Sequence, residues 1–552
     1  MFQLPNASPA AVVLPTLFLL AAGAVAQQPS FSDQTTAANL DIVHTLDPVY
    51  GGGNPMIAGG AIGDFNRDGW PDLFVIGGGG IADALFLNNG DGTFTDHAAA
   101  WGVAAMHHGA AASVGDYDDD GFLDIFVTSY GPAGAARKPG KHRLYHNEGG
   151  AGFVDVAVAA GVNMTTPTLV SGSSSTFGDY DVDGDLDLYV ASGMLGGIAN
   201  RLFRNEGNGT FTDVTVAAGL TDTQLQGFVP TFADMDGDNY PELVNVADFH
   251  TSVYYVNNGD GTFTKLNPGP PKFDAINGMG SAFGDFDNDG MLDIYATGIY
   301  PTPGNILLLN QGSHAFLENA PTAGVADGGW GWGASAIDCD NDGWLDIVAT
   351  NGWSNPHIGE STRLFRNNAD GTFEEVSQSS GLVHTLQGRT VLRSDLDCDG
   401  AEDLVILSNQ EPLKMFRNDS GAQSGHWLQV DLDTSMHPGL APDGFGATVT
   451  VRWRDQERMR YLDGAPSYLG TSEHSLHFGL GTVTIVHEVL VRWADGSYTA
   501  MGNVGSDQRI TIESGLPIEA DELVRSQTAS VSASGAVPGE WMLFLYSLRG
   551  VG

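Results

Sequence analysis

The feature that most constrains this chain is an acidic nine-residue pattern repeated seven times in phase. The copies lie in GDFNRDGWPDLFV (63–75), GDYDDDGFLDIFV (115–127), GDYDVDGDLDLYV (178–190), ADMDGDNYPELVN (233–245), GDFDNDGMLDIYA (284–296), IDCDNDGWLDIVA (337–349) and SDLDCDGAEDLVI (394–406). Their first aspartates are 52, 63, 55, 51, 53 and 57 residues apart. A period of that size means units that bury their apolar faces against one another. A second motif follows six of them, as in LFLNNGDGTFTD (85–96) and YYVNNGDGTFTK (254–265). It reads as a β-hairpin, because Gly, Asn and Asp tolerate the positive φ of a tight turn. Each repeat then holds about four strands, the content of one propeller blade. The expected fold is all-β, a seven-bladed propeller over residues 31–420 followed by a small all-β domain.

The two ends of the repeat region support a closed ring. The seventh copy stops at MFRNDSG (415–421) without a final Phe-containing strand, and the chain offers FSDQTT (31–36) near its start. An N-terminal strand completing the last blade would remove the open sheet edges. An open β-solenoid, the structural alternative, would need no such exchange.

The acidic pattern follows D-x-[DN]-x-D-G-x-x-[DE], the spacing of a cation-binding turn. Position 1 is Asp64, Asp116, Asp179, Asp234, Asp285, Asp338 and Asp395. Position 3 is Asn66, Asp118, Asp181, Asp236, Asp287, Asp340 and Asp397, and position 5 is Asp68, Asp120, Asp183, Asp238, Asp289, Asp342 and Asp399. Position 9 is Asp72, Asp124, Asp187, Glu242, Asp293, Asp346 and Asp403. Position 7 would offer its backbone carbonyl, from Trp70, Phe122, Asp185, Tyr240, Met291, Trp344 and Ala401. Hard oxygen donors in that number suit Ca2+, which takes six to eight oxygens at flexible geometry. Up to seven ions are expected, one per blade. Zinc would want His or Cys, which the pattern does not place to serve. Position 6 must turn sharply and is Gly in six copies; the fourth has Asn239, the next most tolerant residue. Asn66 lowers the charge of loop 1 and Glu242 lengthens a ligand of loop 4, so these two are expected to bind most weakly.

Composition agrees. The chain has 552 residues, 67 acidic against 23 basic, and a formal charge of -44. Such a surface would repel nucleic acid and anionic lipid. Hydrophobic residues make up 42%, enough for packed cores, so the acid must sit in folded structure. Cys339 and Cys398 allow one bridge; two idle thiols are the simpler reading. The apolar run Ala10–Ala26 ends in Ala24-Val25-Ala26, which reads as a signal peptide over 1–26, although no Lys or Arg precedes it. The expected location is secreted or cell-surface, with the periplasm as the alternative. No other segment is long enough to span a bilayer.

After a polar linker at 418–425 the period breaks. Residues 426–514 carry new alternating strands, and 515–552 read as a loose tail rich in Ser, Ala and Gly. The seven repeats resemble the FG-GAP/VCBS repeats of integrin α-chain propellers. The runs GFGATVTVRW (444–453), HFGLG (477–481) and VRWADGS (491–497) resemble the ASPIC/UnbV domain. In this order they resemble the cartilage acidic protein family. The resemblance implies calcium binding, an extracellular location and a role in adhesion or interaction with a protein or glycan, and no known reaction.

Motifs of catalysis are sparse. His487-Glu488 begins like H-E-x-x-H, but position 491 is Val. His107 and His108 are adjacent without an assignable partner, and His474 and His477 read as packing residues. Trp330, Trp332, Trp344 and Trp353 fall in repeat six, where they fill blade interfaces or line a sugar-stacking surface. Three functions stand: a Ca2+-dependent interaction scaffold, a carbohydrate-binding propeller, and a polysaccharide hydrolase or lyase using a loop Ca2+ as Lewis acid. The expectation is a binding protein and not an enzyme.

Overall fold

A computed structural model describes residues 28–46, 56–129, 141–164, 172–193, 199–273, 276–301, 304–420, 425–464 and 466–515, with two short strands at Ile518–Ala520 and Val531–Ala533. The signal-peptide reading, part of the linker and nearly all of the tail lie outside the described residues.

Each repeat makes one antiparallel four-stranded sheet. The first comprises Gly60–Gly63, Asp72–Val75, Ala84–Asn88 and Phe94–Asp96 in chain order. The other six begin with Gly109–Gly115, Ser175–Gly178, Gly227–Ala233, Ser281–Gly284, Gly331–Ile337 and Gly388–Ser394. These first strands are almost wholly buried, because they converge at the middle of the ring. The third strands alternate more, as in Arg201–Asn205, and the fourth strands are largely solvated. Apolar clusters lie between successive sheets; Leu392, Val405 and Met415 of the seventh pack with Ile62, Leu73 and Phe86 of the first.

The seventh sheet is completed from the other end of the chain. Phe31–Asp33 pairs antiparallel with Lys414–Asn418 in the register Phe31↔Asn418. The ring is therefore fastened by residues almost 400 positions apart, as the missing strand of the last repeat requires.

The C-terminal domain packs a three-stranded sheet, with His426–Asp433 between Leu476–Gly481 and Gln508–Glu513, against a four-stranded sheet. The latter runs Gln456–Tyr461, Thr448–Trp453, Ile485–Arg492 and Tyr498–Gly505. Its core includes Leu428, Val449, Phe478 and Trp493. One segment leaves this domain and enters the middle of the ring. Gly470–Thr471 pairs parallel with Gly60–Ala61 as a fifth strand of the first sheet. Leu469 O accepts the N–H groups of Gly60 and Ala112, each at 3.3 Å, and Ser467 O accepts that of Ser281 at 3.4 Å. Tyr468 packs between Phe228 and Trp332, and Leu469 is 0% exposed. The centre of the ring is thus filled by protein.

Candidate metal-loop face

All seven acidic loops connect the first strand of a sheet to its second, so antiparallel geometry puts them at the same end of the ring. In loop 1, Asp64 accepts the N–H of Asp68 at 3.1 Å and of Gly69 at 2.8 Å. The position-1 aspartate plays the same part in the other six loops, for example Asp116 with Asp120 and Gly121 at 3.0 and 2.7 Å. The position-5 carboxylate accepts the N–H of position 7, as Asp342 does from Trp344 at 2.8 Å. Position 9 reaches back across the turn. Asp72 accepts Phe65 N at 3.0 Å and Asn88 N at 2.8 Å. These bonds wrap the backbone around the carboxylates, and position 3 joins them at loops 1 and 4, where Asn66 and Asp236 accept the N–H of Asp68 and Asp238 at 2.9 and 3.3 Å. Asp181 Oδ1, Asp287 Oδ1, Asp397 Oδ1 and both oxygens of Asp340 are buried with no hydrogen-bond partner. Four loops of seven thus aim an unsatisfied oxygen at the middle of the turn, where a buried polar atom normally has a partner. The donor set fits a hard divalent cation.

Electrostatics point the same way. Burial, followed by backbone hydrogen bonds and neighbouring aspartates acting in opposite senses, pushes Asp72 up to about 8. Burial and then the charge of Asp443 push Asp116 up to about 8, and burial pushes Asp395 to about 8 and Asp340 to about 9. Asp187, Asp293, Asp338, Asp346 and Asp403 are pushed well above the usual carboxylate range, again chiefly by burial. These carboxyls are costly to ionise without a compensating charge.

The loops are not equivalent. In loop 1, Asn66 donates to Asp68 at 2.9 Å, so the amide itself satisfies the position-5 carboxylate. In sheets three, six and seven the residue before the last Asn of the third strand is Arg204, Arg366 or Arg417. Arg417 reaches Asp397 at 2.5 Å and Asp399 at 2.9 Å, and Arg366 lies 3.9 Å from Asp340. In sheet two that residue is His146, whose Nδ1 lies 3.3 Å from Asp118 and 3.4 Å from Asp124. Loop 4 receives His314 from the hairpin of sheet five, at 3.2 Å from Asp236. The sequence reading placed no histidine at any loop; both approaches are made across a sheet or between sheets and leave no local signal.

The third strand also carries a residue that the sequence reading treated only as part of a turn. Asn88 Nδ2 donates to Pro71 O of its own loop at 3.1 Å and to Leu396 O of the seventh at 2.9 Å. Asn147, Asn205, Asn257, Asn310, Asn367 and Asn418 make the same pair of bonds, each to its own loop and to the loop before it. Seven amides therefore tie the loops into one ring, and its recurrence in every hairpin motif was the available clue.

The C-terminal domain sits on this face. Arg492 contacts Asp234 at 3.1 Å, Gly237 O at 2.7 Å and the amide oxygen of Asn239. The Asn that replaces Gly in loop 4 therefore has a partner across the interface. At loop 6, Gly479 N donates to Asp338 at 3.0 Å and His477 Nε2 lies 2.6 Å from Asn341 Oδ1. At loop 7, Gln429 reaches Asp395 at 3.2 Å, and Trp427 packs so closely on Gly400 that a Cβ there would lie 1.9 Å from the indole. Trp344, at position 7 of loop 6, lies under Arg458 at 5.2 Å and apart from the other tryptophans of its repeat. Trp330, Trp332 and Trp353 do cluster: Trp330 and Trp353 stack at 5.5 Å, and Trp353 lies 5.3 Å from Trp332. His107, unassigned from sequence, meets Asp83 at 2.7 Å. Cys339 and Cys398 are free thiols, the first buried against Asp346.

Residues 438–517 match the family described as ASPIC and UnbV, and residues 64–127, 179–245 and 240–296 match the FG-GAP-like repeat. Cartilage acidic protein 1 of Mus musculus is 25% identical over 443 residues, which cover 76% of this chain and 57% of the mouse protein. A xyloglucanase of Paenibacillus sp is 33% identical over 134 residues, 23% of this chain and 12% of that enzyme. Among solved structures, the rhamnogalacturonan lyase of Bacillus licheniformis aligns at a TM-score of 0.39 and 14% identity, over 69% of this chain and 76% of the lyase. The chain is an FG-GAP-like repeat protein with a C-terminal ASPIC and UnbV domain, homologous to cartilage acidic protein 1.

Proposed function

We propose that the protein is a secreted scaffold whose acidic loops hold Ca2+ and whose rigid ring presents binding surfaces to extracellular proteins or glycans. The observation that carries this reading is the set of buried position-3 oxygens without partners at Asp181, Asp287, Asp340 and Asp397. A cation supplies what those atoms lack, and a ligand that binds only the folded state stabilises it by RT ln(1 + [L]/Kd) per site. At millimolar calcium and a Kd of about 10⁻⁴–10⁻³ M, each site adds roughly 0.4–1.4 kcal/mol. An extracellular setting, where calcium is millimolar, suits sites of that strength, and the relatives' name associates them with cartilage. Among the described residues no helix is long and apolar enough to cross a membrane. The test is the melting temperature in calcium and in EGTA, together with capture of partners from the external milieu under both conditions. Equal melting in the two would overturn the calcium reading.

A carbohydrate partner is the second reading. Trp330 and Trp353 lie in connections at the end of the ring opposite the acidic loops, near exposed Tyr300 and Ile358. Aromatic faces of this kind stack on sugar rings, and the local similarity to a xyloglucanase agrees with a polysaccharide ligand. A glycan array separates the two readings: binding that survives chelator and fails in Trp330→Ala favours the sugar surface.

A further inference from the structure

Two of the seven loops carry an imidazole, and they acquire it by different routes. His146 stands on the third strand of sheet two, at the position that is Arg204, Arg366 or Arg417 in sheets three, six and seven. That position is aimed at the position-3 carboxylate, as the bonds of Arg417 to Asp397 show. An imidazolium in the arginine's place would be the simplest use of His146. Its Nδ1 lies between Asp118 and Asp124 at 3.3 and 3.4 Å, which is ion-pair distance to both carboxylates and equally the spacing of three ligands around one ion. Separations of about 3.3–3.4 Å are the edges of a tetrahedron with metal–ligand bonds of about 2.0–2.1 Å.

Loop 4 has Val256 at the strand position, and its imidazole comes from the next sheet. His314 Nδ1 is engaged with the hydroxyl of buried Tyr254 at 3.0 Å, which turns Nε2 toward Asp236 at 3.2 Å. A ligating His is commonly held in orientation by a hydrogen bond at its other ring nitrogen. Glu242, longer than the aspartate found at this point in the other loops, brings its carboxylate within 4.8 Å of both Asp236 and His314. His314 also occupies a hairpin position held by Gly92, Gly209, Gly261 and Gly371 in four other sheets, and keeps the positive φ, 58°, that glycine adopts there. A β-carbon in that conformation is strained, and strain of this kind persists where the side chain has a use.

We propose that loops 2 and 4 are mixed nitrogen–oxygen metal sites that bind a zinc-type transition-metal ion more tightly than calcium. Their ligands are Asp118, Asp124 and His146 in one, and Asp236, Glu242 and His314 in the other. Imidazole favours zinc, copper and nickel over hard cations, whereas the all-oxygen loops favour calcium. This rests on the reading that the loops hold cations, and divides them into two classes.

The test is a Co2+ titration of the metal-stripped full chain in millimolar calcium, followed by visible absorption, which reports nitrogen ligation, and by calorimetry with Zn2+. Two equivalents are expected above the calcium-saturated baseline. His146→Ala and His314→Gly each remove one, weakening that site at least tenfold, and the double variant removes both. His146→Arg also removes one, while supplying the guanidinium that sheets three, six and seven carry at this position. His314→Gly stays folded in EDTA, because glycine accepts the turn and only the bond to Tyr254 is lost. Absence of transition-metal binding in calcium, or unchanged binding by the His variants, overturns the proposal. If calcium still raises the melting temperature in that case, only this division of the loops fails; if it does not, the underlying reading fails too.

Discussion

Loops 1 and 6 share a spacing and differ in almost everything that decides affinity. In loop 1, Asp68 is exposed and its carboxylate is already bonded by Asn66. In loop 6, Asp340 is 2% exposed, both its oxygens lack hydrogen bonds, and the C-terminal domain closes over Asp338 and Asn341. A repeated motif fixes where carboxylates sit along the chain, and the surroundings fix how much a cation is needed. Loop 1 meets part of its need through Asn66, although its Asp72 is buried; loop 6 buries more acid with less to offset it.

The largest effect that would sharpen this contrast is expected for Asp340→Ala. In calcium it should lower stability by up to about 1.4 kcal/mol, the increment of the one site it destroys. In EGTA it should be neutral or stabilising, since it deletes a buried unsatisfied carboxylate. Denaturant melts in the two buffers measure this, and equal losses in both would remove the distinction between the loops.

A pH series comes next. Asp116 and Asp395 titrate near 8 in the folded chain against about 3.8 unfolded. Without metal they hold protons, so the stability they contribute is present at low pH and is lost as pH rises from about 4 toward 8. Calcium replaces those protons. Its stabilising increment should therefore grow between pH 5 and 8, toward roughly 0.4–1.4 kcal/mol per site at the upper end. An increment independent of pH would mean that calcium does not bind at these carboxylates.

Asn66→Asp should make loop 1 more like loop 6. We expect a loss of about 1 kcal/mol in EGTA from the added repulsion, recovered in calcium, read from the same melts. The smallest effect should come from Arg492→Gln, whose partly exposed pairing with Asp234 is worth under about 1 kcal/mol. Global stability should barely move, while proteolysis of the C-terminal domain quickens; unchanged proteolysis would show that loop 4 does not hold the domain.

The ring and its loops were legible because each depends on residues close in sequence. Every turn needs carboxylates at set positions and a residue tolerant of positive φ, and each hairpin announces itself by Gly, Asn and Asp. The strand Phe31–Asp33 was readable from what the seventh repeat lacks. What was missed is non-local. His146 and His314 reach their loops across strands, Arg492 meets loop 4 from 253 residues away, and no pattern announces that Gly470 lies beside Gly60. Tyr498–Gly505 shows no clean alternation, because four of its eight residues are exposed and one is buried. The Asn links were visible as letters and opaque as chemistry, since their acceptors belong to two different loops.

The segment Ser467–Thr471 has a consequence for how the protein is made. Synthesis delivers the seven sheets and both halves of the seventh before the ribosome reaches residue 467, so the ring can close while hollow. Until the last domain emerges, the amides of Gly60, Ala112 and Ser281 line a wet bore. A chain cut short after residue 420 would keep that opening, whereas the finished protein, with its axle in place, leaves only its rims and outer wall open to solvent.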